Sequence, residues 1–151
     1  MLEHRQSAAG APPPVWLFAA PSDDRDSPQA GPGRGRSARG TMDGRRVLIV
    51  EDEALVALDL EFAFEDEGAT IIGPALNLRD ALMIVDGSVP IDGAVLDVDL
   101  GGNDVFPVAR ALTDRGIPIV FHTGHASEDA VRELFPGAMV CAKPMLPGRL
   151  V

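Results

Sequence analysis

Acidic residues and one lysine stand at the ends of three short apolar runs in this chain. Val47-Leu48-Ile49-Val50 leads into Glu51-Asp52-Glu53, Gly93-Ala94-Val95-Leu96 into Asp97, and Ala138-Met139-Val140-Cys141-Ala142 into Lys143-Pro144. Carboxylates gathered at one spot repel each other unless a cation joins them. Hard oxygen donors of this kind suit magnesium, which wants about six oxygens and keeps several waters. A carboxylate beside such an ion can attack phosphorus and form an acyl phosphate, while an ammonium group neutralises the phosphoryl oxygens. The chemistry on offer is therefore phosphoryl handling. Asp97 is the candidate nucleophile. Asp52 and Asp97 are candidate direct donors to Mg²⁺, Glu51 a holder of a coordinated water, and the backbone carbonyl of Asp99 a further donor. Lys143 supplies the counter-charge. Thr123, after the apolar Ile119-Val120-Phe121, offers a hydroxyl that can donate to a phosphoryl oxygen.

These residues can meet only if the runs are neighbouring strands. Short apolar runs with β-branched residues, alternating with helical patterns, indicate a parallel βαβ sheet, whose C-terminal strand ends open on one ligand-binding edge. The pattern predicts strands at Arg45–Val50, Thr70–Gly73, Gly93–Asp97, Ile117–Phe121 and Ala138–Ala142. Helices are expected at Ala54–Glu67, from an Asn77 cap to about Val85, at Asp104–Asp114 behind an Asn103 cap, and from a Ser127 cap over Glu128 to about Phe135. Pro107 is tolerable in the first turn of the third helix. The order is (βα)₄β, an α/β, doubly wound, five-stranded parallel sheet with helices on both faces. Only a stub follows Lys143-Pro144 where a fifth helix should cover the sheet, so the fifth helix is expected to be truncated. An uncovered face there fits a homodimer contact.

Charge and composition narrow the function. The 151 residues carry net charge −10, and residues 1–41 are +1, so the remainder is −11. A domain this acidic is a poor nucleic-acid binder, because phosphate contacts supply most of that affinity. No apolar run approaches a membrane span, and Val15–Ala20 is too short for a signal-peptide core. A single cysteine, Cys141, allows no disulfide within the chain and fits a cytoplasmic protein, where it is a small buried apolar residue rather than a reactive thiol. Residues 1–43 are expected to be a disordered tail, rich in proline, glycine and arginine, with the folded domain at 44–151 and Met42 as an alternative start.

Val50-Glu51-Asp52-Glu53, Leu96-Asp97-Val98-Asp99-Leu100, Thr123-Gly124 and Lys143-Pro144 together resemble the receiver domain of two-component response regulators, over about Arg45 to Leu150. The resemblance implies a flavodoxin-like (CheY-like) fold and a phosphorelay signalling protein rather than an enzyme, one that catalyses only its own phosphorylation and dephosphorylation. Asp97 would accept a phosphoryl group from a sensor histidine kinase or phosphotransfer protein. Mg²⁺ would sit at Asp52, Asp97 and the Asp99 carbonyl with Glu51 behind, Thr123 would be the switch hydroxyl, and a downstream protein partner would read the state by contact. The run Phe121-His122-Thr123-Gly124-His125 also resembles the single-domain FAT GUY receivers of alphaproteobacteria, with His122 and His125 in place of Ala and Tyr. Val140 stands three before the lysine, where most receivers carry an aromatic.

Two rival readings follow from the same residues. Asp97-Val98-Asp99 with Thr123 and Lys143 is also the order of a haloacid dehalogenase-type phosphohydrolase. Against it, Glu51-Asp52 precede the nucleophile, which should follow the first core strand. The short stub after Pro144 allows a degenerate receiver that acts only as a binding module. His122 and His125 are expected to be solvent-facing or partly packed rather than metal ligands, since a third ligand is lacking nearby.

Overall fold

The structure is a computed structural model, and it describes residues 42–143. Among the described residues, seven strands and four α-helices follow in order: β1 (Arg46–Val50), α1 (Ala54–Asp66), β2 (Thr70–Ala75), α2 (Leu78–Asp86), β3 (Gly93–Asp97), β4 (Asp99–Leu100), β5 (Asn103–Asp104), α3 (Phe106–Asp114), β6 (Ile119–Thr123), α4 (Glu128–Leu134) and β7 (Met139–Ala142). Five strands form one parallel sheet in the order β2-β1-β3-β6-β7. The chain reverses its direction of travel across the sheet between β1 and β3, the crevice where ligands collect in doubly wound sheets.

Strand alternation explains the two cores. Leu48, Val50, Ala94, Leu96, Ile119 and Phe121 face α2, α3 and α4. Val47, Ile49, Val95 and Val120 face the other way, onto Leu60 and Phe64 of α1. Because β1, β3 and β6 are buried on both faces, they read as continuous apolar runs rather than alternating ones.

Several expectations need correction. Met42 and Asp43 are not tail: Met42 is fully buried in the α1-side core, and its N–H donates to the Glu67 carbonyl at 3.0 Å. The fourth long strand starts at Ile119, not Ile117, since the Ile117 N–H still closes the end of α3 on the Leu112 carbonyl. That shift brings His122 and Thr123 inside the sheet. Residues 99–104 form a small antiparallel hairpin, β4–β5, around Gly101 and Gly102, both at positive φ as such a tight turn requires. Asn103 therefore pairs with Leu100 instead of capping α3, which begins at Phe106 with Pro107 in its first turn. The Asn77 cap stands: its side chain accepts the Asp80 N–H at 2.8 Å. Ser127 precedes α4 without a side-chain capping bond. The expected tail over residues 1–41 and the fifth-helix stub lie outside the described residues.

Candidate functional site

Register carries the ends of four parallel strands, β1, β3, β6 and β7, to one row. Val50 pairs with Leu96, Asp97 with His122, and His122 with Cys141. Side chains two apart share a face, so Glu51, Asp97, His122 and Cys141 lie in line on the α1 side, with Lys143 one step beyond. Glu51 and Asp97 are buried, 1% and 5% exposed.

Lys143 joins the two carboxylates. Its Nζ is 3.0 Å from Asp97 Oδ2, and 3.2 and 3.0 Å from Glu51 Oε1 and Oε2. Glu53 Oε1 lies 3.5 Å away on the outer side. One ammonium serves several carboxylates, and their protonation reflects that shortage. For Glu51, burial works against ionisation, but His122, Lys143 and the Glu53 N–H outweigh it and hold its carboxyl at about 2. For Asp97, burial and the nearby Glu51 charge prevail over Lys143 and push its carboxyl up to about 7. The lysine is driven the other way: burial lowers its pKa, and bonds to Asp97 and Glu51 more than reverse that, leaving it well above the usual range.

Asp52 completes an acidic group that could hold a cation. Glu51, Asp52 and Asp97 each offer an oxygen within 4.8 Å of the others. Three hard carboxylate donors, one of them kept from ionising by its neighbours, fit a hard divalent cation. Asp99 stands in β4. Its N–H makes a long 3.4 Å bond to Asp97 Oδ1, and its own carboxylate accepts the Gly102 N–H at 2.7 Å to fix the hairpin turn. Thr123 is buried at the end of β6. Its carbonyl accepts the Lys143 N–H at 2.8 Å, and its hydroxyl donates to the Gly124 carbonyl at a long 3.4 Å. Val140 packs half-buried against the larger core, so an aliphatic side chain occupies that place.

His122 corrects the expectation of a solvent-facing or partly packed ring. It is 3% exposed, and Nδ1 lies 3.7 Å from Glu51 Oε2. Both ring nitrogens are buried without a hydrogen-bond partner among the described residues, as is Glu51 Oε2 despite its closeness to the lysine. The signal for this was in the sequence: two positions after Val120, His122 falls on the same inward face. Replacing His122 with Ala is expected to raise the Glu51 carboxyl pKa from about 2 toward the ordinary range, as read by the pH dependence of its carboxyl carbon shift. Cys141, next in the row, is half-buried, and that burial pushes its thiol up and away from the reactive form.

The chain is similar in sequence and in fold to known proteins. The sequence profile described as "Response regulator receiver domain" matches residues 47–151. The transcriptional regulatory protein PdtaR of Mycobacterium tuberculosis is 36% identical over 97 residues, covering 63% of this chain and 47% of that protein. A crystal structure of a response regulator receiver protein from Sinorhizobium medicae superposes with TM-score 0.63 at 28% identity, over 70% of this chain and 87% of the other. The solution structure of SdrG from Sphingomonas melonis gives TM-score 0.58 at 44% identity, over 68% of this chain and 86% of the other. The chain spans about half the length of the curated relatives it matches. With a flavodoxin-like sheet, acidic residues at the first and third long strand ends and a lysine after the last, the chain belongs to the response regulator receiver family.

Proposed function

We propose that the chain is a phospho-receiver, in which Asp97 takes a phosphoryl group from a phosphohistidine of a sensor kinase or phosphotransfer protein. One observation carries this reading. The oxygens of Glu51, Asp52 and Asp97 converge within 4.8 Å of one another, with Lys143 Nζ 3.0 Å from Asp97. An Asp97 carboxylate oxygen attacks phosphorus, the bond from phosphorus to the donor nitrogen breaks, and the freed imidazole keeps the electron pair and takes a proton. Asp52, Asp97 and the Asp99 carbonyl would hold Mg²⁺ directly and Glu51 a bound water. The bound ion supplies positive charge that lets a carboxylate approach a phosphoryl group. Lys143 orients the transferred group by its charge, and Thr123 offers its hydroxyl to a phosphoryl oxygen once the group is in place. His122 lies behind Glu51, its Nδ1 3.7 Å from Oε2.

In this reading the chain acts on itself, catalysing only its own phosphorylation and dephosphorylation, and signals by contact with a downstream protein. The acid-rich folded part disfavours nucleic acid, and the described helices include none long and apolar enough to cross a membrane. We assign it to the cytoplasm, with the receiver unit beginning at Met42. The phosphohydrolase reading fails on position, because Asp97 ends the third long strand and the acidic pair precedes it.

Incubation with acetyl phosphate, with and without Mg²⁺, followed by mass spectrometry tests the assignment. One phosphate labile to alkali and hydroxylamine, mapped to Asp97 and formed only with the divalent ion, is the expected result. Label on another residue, or steady hydrolysis of an added phosphomonoester, would overturn it.

A further inference from the structure

Helix α1 is apolar on two opposite sides. Ala57, Leu60 and Phe64 are buried against the sheet, while Leu55, Leu58 and Phe62 are 79%, 42% and 57% exposed. At 3.6 residues per turn, these last three fall within an arc of about 60°, roughly opposite the buried side. Glu61 and Glu65 border that arc on one flank, Asp59 and Asp66 on the other, and the helix contains no Lys or Arg. An outward apolar stripe framed by acids is a surface built for an apolar segment with basic neighbours.

The chain carries such a segment and delivers it to this place. The Met42 N–H bonds to the Glu67 carbonyl, so the residues upstream of Met42 start beside the last turn of α1. Residues 27–41 hold Arg34, Arg36 and Arg39 and no acid. Farther upstream lies Val15-Trp16-Leu17-Phe18-Ala19-Ala20, the apolar patch too short to cross or exit a membrane. Residues 21–41 can span at most about 70 Å when extended, against about 20 Å for the whole of α1. Reach is therefore no obstacle.

We propose that Val15–Ala20 docks on the Leu55–Leu58–Phe62 stripe of α1, with Arg34, Arg36 and Arg39 set against the acids that frame it. Sharing one chain gives the segment an effective concentration in the millimolar range, so a modest contact suffices to keep it in place.

Trp16 reports on this contact, since the chain has one tryptophan and no tyrosine. In the full chain its emission is expected to be blue-shifted and shielded from acrylamide, relative to the same chain unfolded in guanidinium. Leu55→Ser with Phe62→Ser, both exposed positions, should red-shift the emission and raise quenching severalfold while circular dichroism stays unchanged. Replacing Arg34, Arg36 and Arg39 with Ser should weaken the shielding without touching the described domain, and added salt should act in the same direction. Emission like that of the unfolded chain would overturn the proposal, as would indifference to the Leu55/Phe62 pair. Shielding that grows with protein concentration would also overturn it, because the occupant would then be a second copy.

Discussion

Asp97→Asn is expected to stabilise the divalent-free protein at pH 8 while abolishing phosphoryl uptake. Asp97 is buried beside the Glu51 carboxylate, and burial and that charge push its carboxyl from 3.8 up to about 7. Below pH 4 the folded and unfolded chains both hold this proton. Between pH 4 and 7 the unfolded chain has lost it and the folded chain keeps it, so folding stability falls as pH rises through that window. Above 7 the folded protein bears the whole cost of an ionised Asp97. Asparagine bears none, and after a discount for solvent screening the gain is on the order of 1–2 kcal/mol. The opposite effect of Glu51, whose carboxyl lies at about 2 against 4.5, adds stability as pH rises between those values and so falls in a lower window. Urea unfolding with a chelator present checks this. The wild type should weaken from pH 5 to pH 8, the variant should stay nearly level, and Mg²⁺ should recover stability in the wild type far more than in the variant. A variant less stable than wild type at pH 8 would contradict the assigned environment of Asp97.

Lys143→Met should have the largest effect on the fold. The ammonium is within 3.2 Å of Glu51 and Asp97 and its side chain is 21% exposed. Methionine keeps the length and the apolar stem but leaves two buried carboxyls facing each other. Breaking a buried ion pair costs about 3–5 kcal/mol. Partial exposure of Lys143 and protonation of Asp97 reduce this to about 2–3 kcal/mol, a fall in midpoint temperature on the order of 10 °C. The loss should be greater at pH 8 than at pH 5, since Asp97 is protonated at the lower pH, and a divalent ion should restore part of it. A midpoint unchanged from wild type would mean the lysine contributes nothing to holding the carboxylates. The variant should also accept phosphate poorly.

The site was legible from sequence because its elements are the simplest in the fold. Buried parallel strands read as apolar runs, and the residue that ends each run must stand at the sheet edge. That logic found Glu51, Asp52, Asp97 and Lys143, which the structure brings together. It stumbled where local signals compete. Asn103 next to a helical pattern reads as a cap, yet the two glycines before it let the chain turn back on Asp99–Leu100 first. Ile117-Pro118 reads as the start of a strand, but its N–H is spent on closing α3. His122 was expected to be solvent-facing or partly packed because the strand was placed two residues too early. Met42 carries no periodic signal at all, and its burial depends on α1 and β1 already lying side by side.

The main-chain bond between Lys143 and the Thr123 carbonyl has a consequence for how a signal leaves the site. Val140 provides no ring to swing between inward and outward rotamers. In the proposed phospho-receiver, a pull on the lysine from Asp97 would be felt as a tug on the rung that zips the last two long strands, and the shift that follows would travel through backbone, with the far edge of the sheet acting as a lever rather than a side chain acting as a flag.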